Sequence, residues 1–323
     1  MKSIAVIGAG LAGSIVAHSL QTSAKVTVFE KSGRAGGRMS TRRVETYSFN
    51  HGAQFFTARD PQFKGFLKPY IDQDIVAQWN PRITTLDPLD KPFKRIWYEP
   101  HYVGTPGMSA LAGSLAENLD VRYRCEIASL KSIGKKWQLQ DTEHNDYGEF
   151  DWVISAIPSA QALNILGSKL QQHAEIADVV FSPCFSLMLG LKNKPALGFD
   201  AAVVKNSSIS WLAQTHSEQA NSYGLVIHSD NAWAKTHIDD EKELLQEQLF
   251  TSAQQLLNNS LQDVQYAALH RWLYAKVETS AQEDYLIDRG NRLAVCGEWC
   301  RGNRVEDAFL SGFKLAEFLK TQL

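Results

Sequence analysis

Gly8, Gly10 and Gly13 punctuate the run Gly8-Ala9-Gly10-Leu11-Ala12-Gly13, which follows the apolar stretch Lys2 to Ile7 and precedes Leu11 to Gln21. The first stretch reads as a buried parallel strand and the second as a helix, the setting in which such a turn cradles a pyrophosphate. Gly8 permits the tight turn, Gly10 lets the backbone approach the phosphates, and Gly13 lets helix and strand pack closely. The helix N-terminus adds free N–H groups and the positive end of a dipole. A second strand, Lys25 to Glu30, ends on an acid 17 residues after Gly13. A carboxylate there accepts hydrogen bonds from ribose hydroxyls and repels a 2′-phosphate, which argues against NADP at this site. The alternative is a glycine-rich turn in an unrelated α/β protein.

Two further segments extend this chemistry. Gly33-Arg34-Ala35-Gly36-Gly37-Arg38 places adjacent glycines and an arginine just beyond Glu30 and Lys31, a flexible loop with a bidentate phosphate donor. A solvated basic loop is the plainer alternative. Near the other end, Cys296-Gly297-Glu298-Trp299-Cys300 closes a strand (Arg292 to Cys296) and leads into a helix from Arg304 to Leu319. The N–H groups of that helix suit a ring that gains negative charge on reduction. Glu306 and Asp307 also suit a first helical turn, so capping accounts for their side chains equally well. The pattern of the Arg38 loop is shared by flavoproteins of the glutathione-reductase-like superfamily with an amine-oxidase-type second domain, so the two chain ends are expected to form one FAD site.

The elements that must position these residues are those of an α/β protein. A chain of 323 residues exceeds one compact core. A Rossmann-type FAD-binding domain is expected from residues 1–75, 102–158 and 284–323. A second, α+β substrate domain on a mostly antiparallel sheet is expected from 76–101 and 159–283. Within the first, a helix is expected from about Gly104 to Asn118. Val121 to Ile127, Lys135 to Gln140 and Tyr147 to Phe150 read as a small meander, and Trp152 to Ile157 as a buried strand. Pro81 to Pro100 looks irregular. In the second, Val180 to Leu191, Ala201 to Val204, Ser208 to Ala213, Gly224 to Ser229 and His270 to Ala275 read as strands. Asp239 to Asn258 reads as an amphipathic helix with Leu244, Leu245, Leu249, Ala253 and Leu256 inward.

Bulk properties narrow the function classes. A net charge of -2 provides no basic surface for nucleic acid. No apolar run reaches the roughly 18 residues of a membrane helix, and the strand beginning at Ser3 leaves no room for a secretory leader. Four cysteines in a chain this long suit a reducing cytoplasm rather than a disulfide framework. Cys296 and Cys300 lack the partners of a zinc site, so no metal is expected. Cys296 reads as buried strand and Cys300 as a residue that lines the site.

With these motifs in place the chain resembles the renalase family, most closely its bacterial members, along nearly its whole length. The matching segments are Gly36 to Ser40, Gly52 to Asp60, Gly104 to Ser109, His270 to Ala275, and Cys296 to Gly312. The resemblance implies non-covalent FAD and oxidation of the 2-dihydro and 6-dihydro isomers of NAD(P)H to NAD(P)+, with oxygen reduced to hydrogen peroxide. It implies FAD contacts from Leu11, Ala12, Glu30, Arg38, Gln54 and Phe55, from Ile127 through its backbone, and from Glu298 and Val305 to Ala308. It implies substrate contacts from Ser186, Cys300 and, in the loop before Tyr102, Arg95. Hydride transfer needs closeness and orientation rather than a general base, and no nucleophile–base pair is evident. Trp272, Tyr274 and Trp299 either wall a dry pocket or are ordinary core. His270 is either a buried, satisfied histidine or a site residue, and His51 reads as a turn residue. A flavin amine oxidase is the competing enzyme class, with Lys276 as candidate lysine near the flavin or an exposed strand-end residue. A non-catalytic flavin-binding protein is the third.

Overall fold

The computed structural model describes residues 1–94, 99–217 and 222–323. Its first layer is a six-stranded sheet in the order Asp120–Tyr123, Lys25–Glu30, Ser3–Ile7, Trp152–Ser155, Leu293–Val295, Leu286–Asp288. The first five strands run parallel and the last is antiparallel. Parallel strands are covered on both faces, so they carry continuous apolar runs: Ile4, Ala5, Val6, Val153 and Ile154 are wholly buried. Segments from both ends of the chain and from its middle therefore lie side by side in one sheet.

The helix Leu11–Leu20 packs on this sheet against the C-terminal helix Val305–Lys320. The crossing is close: a side chain at Gly312 would stand 2.5 Å from the Ala12 carbonyl oxygen. That contact brings the start of the last helix beside the first glycine turn.

The second layer is a seven-stranded sheet in the order Val264–Thr279, Val180–Leu191, Ser222–Ser229, Ile209–Ser217, Ala201–Val204, Ile83–Asp87, Asp90–Lys94. One face is covered by the helix Lys242–Leu256 through Leu245, Leu249 and Ala253. The other faces the dinucleotide-binding layer, and a hairpin of Arg42–Val44 and Tyr47–Phe49 lies on it. The strand Val76–Trp79 pairs with His101–Gly104 rather than with the large sheet.

Four expectations are corrected. The segment from Val121 is not a meander strand: Asp120–Tyr123 joins the parallel sheet, Arg124 turns the chain at φ 55°, and Ile127–Ile133 starts the meander. The stretch from Pro81 is not irregular, because Ile83–Asp87 pairs in parallel with Ala201–Val204 and supplies buried Ile83 and Thr85. The helix after Pro106 is confined to Ala110–Ala116. Leu244 is 48% exposed, one position off the inward stripe. A helix at Pro61–Asp72 was not expected, although Asp60 caps it by accepting from the Gln62 N–H and Pro61 occupies its first turn.

Candidate functional site

Between the two layers runs a cavity of about 830 Å3, at the upper end of the range for ligand pockets. At one end it is lined by Glu30, Lys31, Glu126, Ile127 and Thr142, in the middle by Gly8, Gly10, Leu11 and Ala12, and at the far end by Glu298, His228, His270, Trp272 and Tyr274.

The glycine turn is built by contact. A side chain at Gly13 would lie 2.0 Å from the Gly8 carbonyl oxygen, whereas one at Gly10 would meet nothing within 4 Å. The turn is thus closed on its protein side and open toward the cavity, where the helix N-terminus favours anions. Glu30, 7% exposed, holds the turn: its Oε2 accepts from the Ala9 N–H and its Oε1 from the Ser32 N–H, both at 2.8 Å. The Gly36 N–H donates to the Ala9 carbonyl at 2.9 Å, docking the second glycine loop on the first. Arg38, in the short helical turn Gly37–Met39, projects from there to the cavity wall. Its guanidinium pairs with Glu298 and donates to the Tyr274 carbonyl at 3.2 Å.

Glu298 starts a short helix, Glu298–Arg301, after the strand end, and its carboxylate is committed to Arg38. Val305 and Ala308 line the cavity from the first turn of the last helix. Glu306 and Asp307 do not present side chains to it. Glu306 is buried and accepts from the Arg59 and Asp60 N–H groups at 2.6 and 2.7 Å, and Asp307 accepts from the Arg304 N–H. Asp307 caps its own helix, the capping alternative, whereas Glu306 does neither: its carboxylate serves the segment that leads into the helix Pro61–Asp72.

The opposite wall is aromatic and hydrogen-bonded. The Trp272 indole N–H donates to the His51 carbonyl at 2.9 Å, and the His51 and Trp272 rings stack at 5.2 Å. His270 meets both rings edge-on, at 4.9 and 4.3 Å. Burial holds all three imidazoles of this wall well below the usual range: His51 at about 3, helped by His270 and Arg42, and His228 and His270 at about 4. All three are neutral at physiological pH. His51 is therefore not a plain turn residue: it is buried behind the wall, packed against Trp272 and His270, and does not itself line the cavity.

Several expected contacts are placed elsewhere. Gln54 and Phe55 stand behind the cavity lining: the Gln54 Oε1 accepts from the Trp211 indole at 2.9 Å, and Phe55 packs against Trp79, His101 and Trp211. Ser186 is fully buried in the sheet floor, in register between His228 and His270, and does not line the cavity. Cys300 is fully buried beneath the wall, as is Cys296. Burial pushes the Cys296 thiol up to about 12 and Cys300 well above its ordinary value. Trp299 is fully buried core with one edge on the cavity, its N–H donating to the Ile157 carbonyl. Lys276 is at the rim, its Nζ 3.1 Å from Glu278. Arg95 lies outside the described residues. His228, Ser210, Asn231 and Gln161 line the cavity without having been singled out. Ser210 and His228 lie on expected strands, whose alternation marks a face but not what the face meets, and Gln161 and Asn231 lie on the helices Ser159–Leu166 and Asn231–Thr236, which were not expected.

This cavity fits FAD: an open phosphate cradle at Gly10, a carboxylate at the adenosine end, and neutral aromatic walls at the other. Residues 6–70 match the NAD(P)-binding Rossmann-like domain, and residues 97–318 match the flavin-containing amine oxidoreductase family. A bovine protein, prenylcysteine oxidase 1-like from Bos taurus, is 42% identical over 71 residues, which span 21% of this chain and only 14% of that protein. The fold is shared with a proposed protoporphyrinogen oxidase from Exiguobacterium sp. (TM-score 0.80, 11% identity, 100% of this chain and 99% of that one). It is shared too with cyclohexylamine oxidase from Brevibacterium oxydans (0.78, 9%, 99% of each chain) and an oxidoreductase from Methanosarcina mazei (0.72, 14%, 98% and 100%). The chain is a member of the flavin-containing amine oxidoreductase family, a Rossmann-type oxidoreductase with FAD as its cofactor.

Proposed function

We propose that this oxidoreductase oxidises misreduced nicotinamide dinucleotides, the 2-dihydro and 6-dihydro isomers of NAD(P)H, to NAD(P)+, with oxygen as acceptor and hydrogen peroxide as product. The observation that carries this reading is the charge of the substrate wall. The three carboxylates lining the cavity, Glu30, Glu126 and Glu298, all come from the dinucleotide-binding layer, and Glu298 is paired with Arg38. Among the described residues, the second layer contributes no carboxylate to the lining; of its two cationic residues there, Lys276 is paired with Glu278 at the rim and the Arg271 guanidinium donates to the Ile238 carbonyl at 2.6 Å. Such a wall puts no carboxylate against a substrate bearing phosphates and offers an alkylammonium no carboxylate partner.

FAD, when bound, supplies the two-electron acceptor. The chain supplies binding and orientation: Arg38 and the glycine turn for phosphates, and Trp272 and Tyr274 as apolar faces for a flat ring. Its neutral imidazoles add no competing charge. Loss of a hydride from a dihydropyridine releases no separate proton, so no base is needed at the reacting carbon. The proposed partners are the dinucleotide and oxygen, not nucleic acid or a membrane. No helix among the described residues is long and apolar enough to cross a membrane. A reducing cytoplasm is the proposed location, in keeping with four buried, unpaired cysteines.

Amine oxidation is the second reading, favoured by Lys276 at the cavity rim. The two separate in one experiment: anaerobic mixing of the FAD-loaded protein with each dihydronicotinamide isomer and with a series of alkylamines. Bleaching of the flavin by either isomer supports the first reading. Bleaching by amines alone replaces it with the second.

A further inference from the structure

Tyr47, Phe49 and His51 alternate along the second strand of the hairpin and its extension, so the three side chains address one face. That face lies on the large sheet, where three successive cross-strand pairs form a row: Gly190 with Gly224, Met188 with Val226, and Ser186 with His228. The first pair has no side chains. A Cβ at Gly190 would stand 2.8 Å from the Tyr47 ring, and one at Gly224 would stand 2.8 Å from the Phe49 ring. Paired Cβ atoms on neighbouring strands lie about 5 Å apart, so the two glycines leave one continuous slot. Tyr47, Phe49 and Tyr266 stack over it, with centroids 5.7 to 6.4 Å apart. The Ser222 hydroxyl donates to the Thr46 carbonyl at 2.7 Å and pins the hairpin turn to the same strand as Gly224.

The depth of that seat is transmitted directly to the cavity. Two residues beyond Phe49, the His51 carbonyl accepts from Trp272, and His228 Nε2 is 3.2 Å from the same oxygen. Three residues further, Gln54 accepts from Trp211. On its other side the segment is anchored to the phosphate loop, the Ala53 N–H donating to the Arg38 carbonyl at 2.8 Å. Raising the hairpin by the thickness of a methyl group lifts His51 away from Trp272 while the Arg38 anchor stays.

We propose that Gly190 and Gly224 are positioning residues: the slot they form seats Tyr47 and Phe49 and thereby, through His51, sets the placement of the Trp272 wall relative to the FAD loop. The inference rests on the substrate reading above only for which ligand the wall receives.

Four variants test it: Gly190→Ala, Tyr47→Leu, Tyr47→Phe and the double variant Gly190→Ala/Tyr47→Leu. FAD affinity, the flavin absorption band, tryptophan fluorescence, and KM and kcat with the 2-dihydro isomer of NADH are measured on each. Gly190→Ala and Tyr47→Leu are expected to hold FAD within about twofold, to shift the flavin band and the tryptophan emission, and to raise KM about tenfold. Tyr47→Phe keeps the ring and is expected to match wild type. In the double variant the methyl occupies part of the space the ring left, and the spectra return toward wild type. If Gly190→Ala does not fold, Tyr47→Leu, which introduces no clash, carries the test. A lowered melting temperature with unchanged spectra and unchanged KM would overturn the proposal, as would loss of FAD from Tyr47→Leu. If wild type is reduced by neither isomer, the substrate reading fails, and the two spectra, which need no substrate, still decide the role of the slot.

Discussion

Arg38 Nη2 donates to Glu298 Oε2 at 2.6 Å, joining residues 260 positions apart in the chain at the wall of the FAD cavity. The pair is largely enclosed, with side-chain exposures of 29% and 11%. Removing one partner leaves the other poorly compensated at the cavity wall. Glu298→Gln is therefore expected to weaken FAD binding by about 1–3 kcal/mol, roughly fivefold to 150-fold. Flavin fluorescence on titration with apoprotein reads this. An unchanged dissociation constant would show that the pair does not shape the cofactor site.

Gly10 and Gly13 belong to the same motif and should fail differently. Gly13→Ala forces a methyl to within 2.0 Å of a backbone oxygen, so the turn must distort. It is expected to destabilise the fold by about 3 kcal/mol or more. Gly10→Ala meets no protein atom within 4 Å and points to the cavity. It should melt like wild type while losing about tenfold or more in FAD affinity, because the methyl stands where phosphates approach. Melting of both apoproteins alongside FAD titration separates the two effects, and equal destabilisation would refute the distinction.

The histidine wall predicts an acid limit. His51, His228 and His270 titrate at about 3, 4 and 4 in the folded chain, below the ordinary 6.5. As pH falls, the unfolded chain takes up protons first. Stability from these groups is complete above about pH 6.5 and is lost as pH drops toward 4, at up to about 1.4 kcal/mol per pH unit for each imidazole. The melting temperature of wild type should fall through that window, and His270→Asn should show a shallower slope. Parallel slopes for the two proteins would rule His270 out as a contributor.

The cationic rim predicts a charge effect on substrate capture. Lys276→Glu puts a carboxylate into a wall that has none among the described residues. KM for a dihydronicotinamide dinucleotide should rise about three- to tenfold with little change in kcat, and the effect should shrink in high salt. Steady-state kinetics at two ionic strengths would check this. A fall in kcat at constant KM, or a lower KM for alkylamines in wild type than in the variant, would favour the amine reading.

Much of the cofactor half was legible because its signals are local. Gly8 to Gly13, Glu30 at the end of the next strand, and the caps of the last helix depend on backbone geometry within a few residues. What local pattern could not reveal was partnership. Glu306 looked like either a flavin neighbour or a capping residue, and only packing against Pro61–Asp72 gave its carboxylate to the Arg59 and Asp60 N–H groups. Ser186 and Cys300 have the chemistry of contact residues, yet register placed one in the sheet floor and the other beneath the wall.

The sequence by itself determined that a dinucleotide is held between a glycine turn and an acid, since strand, turn and helix arise from short-range sterics and hydrogen bonding. The tertiary structure decided what faces that cofactor. His51, His228, His270 and Trp272 come from two separate strands and a connecting segment, and their meeting depends on sheet register and on a hairpin seated over two opposed glycines. Long-range pairing of that kind leaves in each strand only an alternation of residues, and alternation marks a face without naming its partner.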